Sequence, residues 1–128
     1  MGGSGLPKDF EGIDYMEELK ILQKVKRMVI HGNMRLKQFP KHERYLLAAE
    51  IRGSMYRIIR LVIMANQTKG SKKPLQDEID VELDVLRTFI DIAADKDMRY
   101  ISLGAHEEWS KELSEIGRML NGWKRSTK

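Results

Sequence analysis

The stretch from Phe39 to Gln67 limits the fold more than any other part of the chain. Pro40 stands at its start and the next proline is Pro74, so no proline interrupts a helix between them. Pro40 suits a first helical turn, where no N–H donor is needed. Lys69-Gly-Ser-Lys-Lys-Pro74 supplies the stop. The spacing predicts one helix of roughly 25 residues. Tyr45, Ala48, Ile51, Met55, Ile58, Ile59 and Val62 recur at three- and four-residue steps and so share a face. The opposite side is not plainly polar: Leu46, Gly53 and Met64 lie there beside Glu50, Arg57 and Arg60. A helix with apolar surface on both sides is usually covered on both. One face is then a bundle core and the other a subunit interface; the alternative is an ordinary solvated face. Gly53 costs about 1 kcal/mol in a helix interior relative to Ala, and a neighbouring backbone passing close by would account for it.

Three more helices follow from the same periodicity. Residues 13–32 carry an apolar face of Tyr15, Leu19, Leu22, Val25, Val29 and Ile30. Lys20, Lys24, Arg27 and His31 form a basic stripe beside it, and Asp14, Glu17 and Glu18 sit where the helix dipole favours acids. Gly32-Asn33 is expected to end this helix in the left-handed conformation. Residues 75–95 place Leu75, Ile79, Leu83, Leu86, Ile90 and Ala93 on one stripe. Val81, Val85, Phe89 and Ile92 make a second apolar edge, again more than one buried face requires. In the connection 95–104, Met98, Tyr100 and Ile101 are expected to fold back on the bundle end, and Ser102 is a candidate N-cap. The last helix runs to about Trp123 with Trp109, Leu113, Ile116, Leu120 and Trp123 in register. Both Trp are expected in the core rather than as base-stacking platforms.

Four helices with short connections predict an all-α, antiparallel up-down-up-down four-helix bundle over residues 13–124. Residues 1–12 are expected to be a disordered N-terminal segment whose Met1-Gly-Gly-Ser-Gly5 resembles a tag remnant. Residues 125–128 form a basic tail.

Charge is divided unevenly. From Lys20 to Lys73 there are 14 Lys or Arg against two acids, Glu43 and Glu50, a local net of +12. From Pro74 to Gly117 there are 12 acids against four bases, a net of −8. Such asymmetry suggests a polyanionic partner, or contact between unlike faces of neighbouring subunits. The candidate nucleic-acid contacts are Lys20, Lys24 and Arg27 on the stripe, Arg35 and Lys37 in the first connection, Arg57 and Arg60 on the outer central helix, and Lys69, Lys72 and Lys73 in one loop. The candidate oligomer contacts are Leu46, Gly53, Met64, Val81, Val85 and Phe89. Arg87 and Arg118 sit among apolar neighbours and are expected to pair with Glu82 or Glu115.

No enzymatic constellation emerges. His31, His42 and His106 fall on three different elements, none at metal-ligand spacing with a second His or a carboxylate pair. There is no Gly-rich phosphate loop and no nucleophile in a recognisable setting. No metal or cofactor is expected. The chain has no cysteine, which excludes disulfides and fits a reducing cytoplasm. No apolar run reaches the roughly 18 residues of a membrane span, and no signal peptide is seen.

Several segments in order resemble one family: Phe39-Pro-Lys-His-Glu-Arg-Tyr-Leu-Leu47, Arg60-Leu-Val-Ile-Met-Ala-Asn66, Glu82-Leu-Asp-Val-Leu-Arg87, Tyr100-Ile-Ser102 and Ser114-Glu-Ile-Gly-Arg-Met-Leu-Asn-Gly-Trp-Lys-Arg-Ser126. Over about residues 13–126 the chain resembles the accessory variability determinant (Avd) proteins of diversity-generating retroelements. A broader four-helix-bundle family, including proteins encoded in intervening sequences of bacterial 23S ribosomal RNA genes, shares the Phe-Pro-x-x-Glu helix start. The Avd resemblance implies a homopentameric barrel with a basic surface. It implies a reverse transcriptase and template RNA or cDNA as partners, and support of mutagenic reverse transcription without catalysis. The alternatives are a bundle of the intervening-sequence type or a purely structural oligomer.

Overall fold

The computed structural model describes residues 9–127, with side chains from Tyr15 onward. Helix α1 spans Asp9–Leu36, α2 Leu47–Gln67, α3 Lys73–Ala94 and α4 Leu103–Ser126, with a single 3-10 turn at Lys41–Glu43. No strand occurs among the described residues. Each helix packs on its two chain neighbours around a square: α1 on α2, α2 on α3, α3 on α4, and α4 back on α1. Late α1 meets early α2 where Asn33 bonds Arg52. The end of α2 meets the start of α3 where Lys72 donates to the Ala65 carbonyl, and the two helices run past each other to Ser54 and Glu82. Late α3 meets early α4 where Asp91 bonds His106. Neighbours are therefore antiparallel, and the chain is a four-helix bundle.

The core is a stack of fully buried aliphatics closed by two tryptophans. Ile51, Met55, Ile58 and Val62 of α2 and Ile79, Leu83, Leu86 and Ile90 of α3 are shut from solvent. From α4 come Trp109, Leu113, Ile116, Leu120 and Trp123, also fully buried, at the period of four and three that one stripe requires. Ser102 caps α4, its Oγ accepting from Ala105 N at 3.1 Å.

The α1 stripe is in a different phase from the one its sequence suggests. Ile21, Val25, Met28 and Leu36 are buried, with Leu22 and Val29 only packed against them. Tyr15, Leu19 and Ile30 are exposed. The helix also does not stop at Gly32-Asn33. Gly32 is buried at the crossing of α1 with α2 and α4: a Cβ there would fall 2.9 Å from Met55 Cε and 3.1 Å from Trp109 Cζ2. Its lack of a side chain serves a close approach within the bundle rather than a left-handed end.

The central helix begins later than expected, at Leu47. Pro40 instead opens the 3-10 turn, and a bend follows it. Glu43 holds that bend: its Oε1 accepts from Leu47 N at 3.1 Å and its Oε2 from the Tyr100 hydroxyl at 3.2 Å. Phe39 is buried under the bend with its ring centroid 5.6 Å from that of Tyr100. Tyr45, expected on the core face, consequently lies outside any helix and is 81% exposed. Pro74 does not stand beyond α2 as a stop but inside the first turn of α3.

At the other connection, Ile101 is buried and Tyr100 packs on the core, whereas Met98 remains in solvent. Arg99 takes a left-handed φ of 53° as the chain turns toward α4. Helix positions 9–12 replace part of the expected disordered segment, and α4 runs two residues into the expected tail. Residues 1–8, with the tag-like start, lie outside the described residues.

Candidate functional site

The ten cations selected from the sequence separate into two groups once the helices are in place. Two of them serve the fold. Arg35, on the last turn of α1, donates to Glu112 Oε1 of α4 at 2.7 Å and lies over the Trp109 ring, 5.5 Å from its centroid. His31, one turn earlier, bonds the other oxygen of Glu112. Lys72 leads into α3 with a side chain only 14% exposed. Its ammonium donates to the carbonyls of Ala65 and Thr68 at 2.7 and 3.1 Å and pairs with Glu18 at 3.3 Å. Lys72 thus satisfies the end of α2, whose last carbonyls have no partner within the helix.

The remaining cations face solvent to differing degrees. Lys24 pairs with Glu115 across α1 and α4 at 2.9 Å, Arg57 with Glu82 at 3.2 Å, and Lys73 with Asp77 at 3.2 Å. Lys20, Arg27, Lys37, Arg60 and Lys69 are exposed and form no ion pair among the described residues. Lys20, Lys24 and Arg27 do share one surface, as their spacing requires. They rim an apolar depression of about 420 Å³ floored by Leu19 and Met119 at the α1–α4 seam.

A second basic cluster is not evident from the sequence pattern. Lys37, Lys41, Arg44 and Arg52 line one concavity of about 330 Å³ beside the Pro40 bend. Of these, the sequence points only to Lys37. On one continuous helix from Pro40 the other three would share a face but be strung along about three turns, and Lys37 would lie apart from them. Their spacing of three and eight residues is the available signal, and the bend makes it count.

The structure leaves the apolar candidates on the α2–α3 side of the square. Val81 is 63% exposed, Met64 and Leu46 are more than half exposed, and Val85 is half-buried. Phe89 packs against the core instead. Nothing lies within 4 Å of a Cβ built on Gly53, so no neighbour inside the bundle explains that glycine. Arg57, Leu61 and Val81 line a shallow hollow of about 300 Å³ there, with Asp77, Glu78 and Glu82 beside them. This hollow carries acids where the α1–α4 depression carries cations.

Arg87 is structural, as expected, but with other partners: it pairs with Asp84 at 2.6 Å and donates to the Leu113 carbonyl at 3.3 Å. Glu82 is buried between Ser54 and Arg57. His42 and His106 each meet one carboxylate, Glu43 and Asp91. No group of three His, Cys, Asp or Glu among the described residues is arranged to hold a metal. Two acids are held below their ordinary range. Bonds from Lys124 and then Lys73 lower the Asp77 carboxyl, and the bond from Lys24 lowers that of Glu115. Burial and the Glu43 carboxylate push the Tyr100 phenol up. No helix among the described residues is long and apolar enough to cross a membrane.

No curated protein and no solved structure matches the chain. A family model described as bAvd-like matches residues 19–127, from early α1 to the end of α4. That span holds the core stripes of all four helices, the bend and both basic clusters, and the chain belongs to the bAvd-like family.

Proposed function

We propose that this chain is a non-enzymatic accessory protein of a diversity-generating retroelement. It assembles as a homopentamer and binds the element's reverse transcriptase and its template RNA or cDNA in the cytoplasm. In doing so it supports mutagenic reverse transcription without catalysing it. Membership of the bAvd-like family carries this reading. The nucleic-acid part is supported by cations that the fold does not consume: Lys20, Arg27, Lys37, Arg60 and Lys69 stay exposed, while Arg35 and Lys72 are engaged internally. Exposed cations without acid partners are suited to phosphate contacts that do not read sequence. The assembly part is supported by exposed Leu46, Met64 and Val81 and by the open space at Gly53.

Light scattering during size exclusion tests the assembly, which should elute with five times the 14.9 kDa chain mass. Titration of a labelled single-stranded RNA at several salt concentrations tests the binding. Its affinity should fall steeply with salt, by about 0.7 log units per log unit of salt for each phosphate contact on a single strand. A monomer that ignores RNA at low salt would leave a structural bundle as the better account.

A further inference from the structure

We infer that the concavity beside the Phe39-Pro40 bend is a seat for one phosphate-bearing nucleotide unit of a single-stranded nucleic acid. Its source as nucleic acid rests on the function proposed above; the seat itself rests on the geometry that follows.

Four cations, Lys37, Lys41, Arg44 and Arg52, surround this single space of about 330 Å³. Like charges brought together repel one another, so such a cluster favours an anion among them. The fold does not supply one: none of the four forms an ion pair among the described residues. The acid nearest in sequence, Glu43, is engaged elsewhere. Its two oxygens take the Leu47 N–H and the Tyr100 hydroxyl, and its third neighbour is His42 at 3.6 Å. The bend therefore holds its own carboxylate in an internal role and leaves the basic side chains at the rim.

Arg52 is also oriented in advance. Its Nε donates to Asn33 Oδ1 at 3.1 Å, and Asn33 Nδ2 donates in turn to the Tyr56 hydroxyl at 3.3 Å. The two terminal nitrogens of Arg52 have no hydrogen-bond partner among the described residues. A guanidinium held by its Nε presents a planar fork, the geometry that matches two phosphate oxygens. Lys41 and Arg44 stand on the short turn opposite, where they close on the same anion without reaching across a helix.

The floor is apolar: Leu36, Phe39 and Ala48 are buried beneath the cations. Cations above apolar carbon suit a phosphate attached to a sugar and base better than a bare inorganic ion. The volume lies at the low end of small-molecule pockets. It admits one nucleotide unit, and a single strand can offer one with its base unstacked.

The test compares two charge-matched double variants with the wild-type chain, all checked for an unchanged helical spectrum. Lys41→Gln with Arg44→Gln removes two of the four rim cations; Lys96→Gln with Lys111→Gln removes the same charge from exposed positions away from both basic clusters. Binding of a labelled single-stranded RNA should weaken about tenfold or more in the first variant, as expected when charge-assisted bonds are removed, and less than threefold or so in the second. The salt slope should fall by about 0.7 in the first, because one phosphate of a single strand is no longer neutralised there. Equal weakening in both variants would overturn the seat and leave only overall charge.

ATP titrated against the same proteins separates this seat from the wider reading. RNA binding that ignores the rim variant overturns the seat while the accessory function stands. ATP binding that the rim variant abolishes, in a protein that ignores RNA, keeps the seat and assigns it to free nucleotides. A wild-type chain that binds neither overturns the seat together with the nucleic-acid part of the proposed function.

Discussion

Helices α4 and α2 carry similar inner stripes and opposite outer sides. In α4 the stripe of Trp109, Leu113, Ile116, Leu120 and Trp123 is wholly buried, and past Leu103 no large hydrophobic is exposed. In α2 the inner stripe is just as complete, yet Tyr56, Ile63 and Met64 stand in solvent beside an uncontacted Gly53. One copy of the bundle covers most of the apolar surface of α4 past Leu103 but leaves three large apolar side chains of α2 in solvent. The core therefore explains why α4 has its sequence, and the outer side of α2 is left for something beyond the fold of one chain.

The largest expected effect lies on the α4 side of this contrast. Trp109 is fully buried against Gly32, with Arg35 over its ring. Trp109→Ala should cost about 3–5 kcal/mol in denaturant unfolding. Met64→Ser on α2 should stay within about 0.5 kcal/mol in the unassembled chain, as surface changes do. Comparable losses from both would mean that α2's outer side is already inside a core.

The α2–α3 loop holds the next contrast within four residues. Lys72→Met removes the ammonium that donates to the last carbonyls of α2 and should cost about 2 kcal/mol. Lys69→Gln, in the same loop but exposed, should change thermal stability by no more than about 0.5 kcal/mol. The reverse order would return Lys72 to the surface, where the sequence alone places it.

The case of Lys72 shows where sequence reasoning stops. Period and capping are local, so the four helices, the Ser102 cap and the α3 and α4 stripes are all legible. The phase of α1 is not, because it carries apolar residues on more than one side, and only packing selects Ile21 and Met28 over Leu19 and Ile30. Pro40 fits the first turn of a 3-10 segment as well as that of an α-helix, so the bend is hidden and the basic cluster around it with it. The roles of Arg35 and Lys72 depend on Glu112 and Glu18, far away in the chain. The candidate cations are recognisable as charge, but which of them the fold consumes is a tertiary property.

Gly53 sharpens the comparison from the other direction. Nothing in the bundle obstructs a methyl group there. Gly53→Ala should therefore raise the stability of the isolated chain by up to about 1 kcal/mol through helix propensity. If another copy approaches that backbone closely, the same change should lower the fraction assembled at a given concentration. A gain in stability with unchanged assembly would show that the glycine serves no contact between copies.

The smallest effect concerns two exposed acid pairs, and it separates the α1–α4 seam from the α3–α4 seam. Glu115 is held below its ordinary value of 4.5 by Lys24, and Asp77 below 3.8 by Lys124 and then Lys73. A carboxyl lowered by folding contributes stability above its ordinary value. That contribution disappears as pH falls through the lower folded-state value. Lys24→Gln should return the Glu115 midpoint in a carbon-detected NMR titration toward 4.5 and leave Asp77 where it was. Adding RNA to the wild type then asks whether Lys24 belongs to the binding surface. A phosphate that captures Lys24 takes it from Glu115, and the Glu115 midpoint rises while that of Asp77 holds. Two unmoved midpoints, with RNA demonstrably bound, would assign Lys24 to the bundle and leave the contact to cations without acid partners.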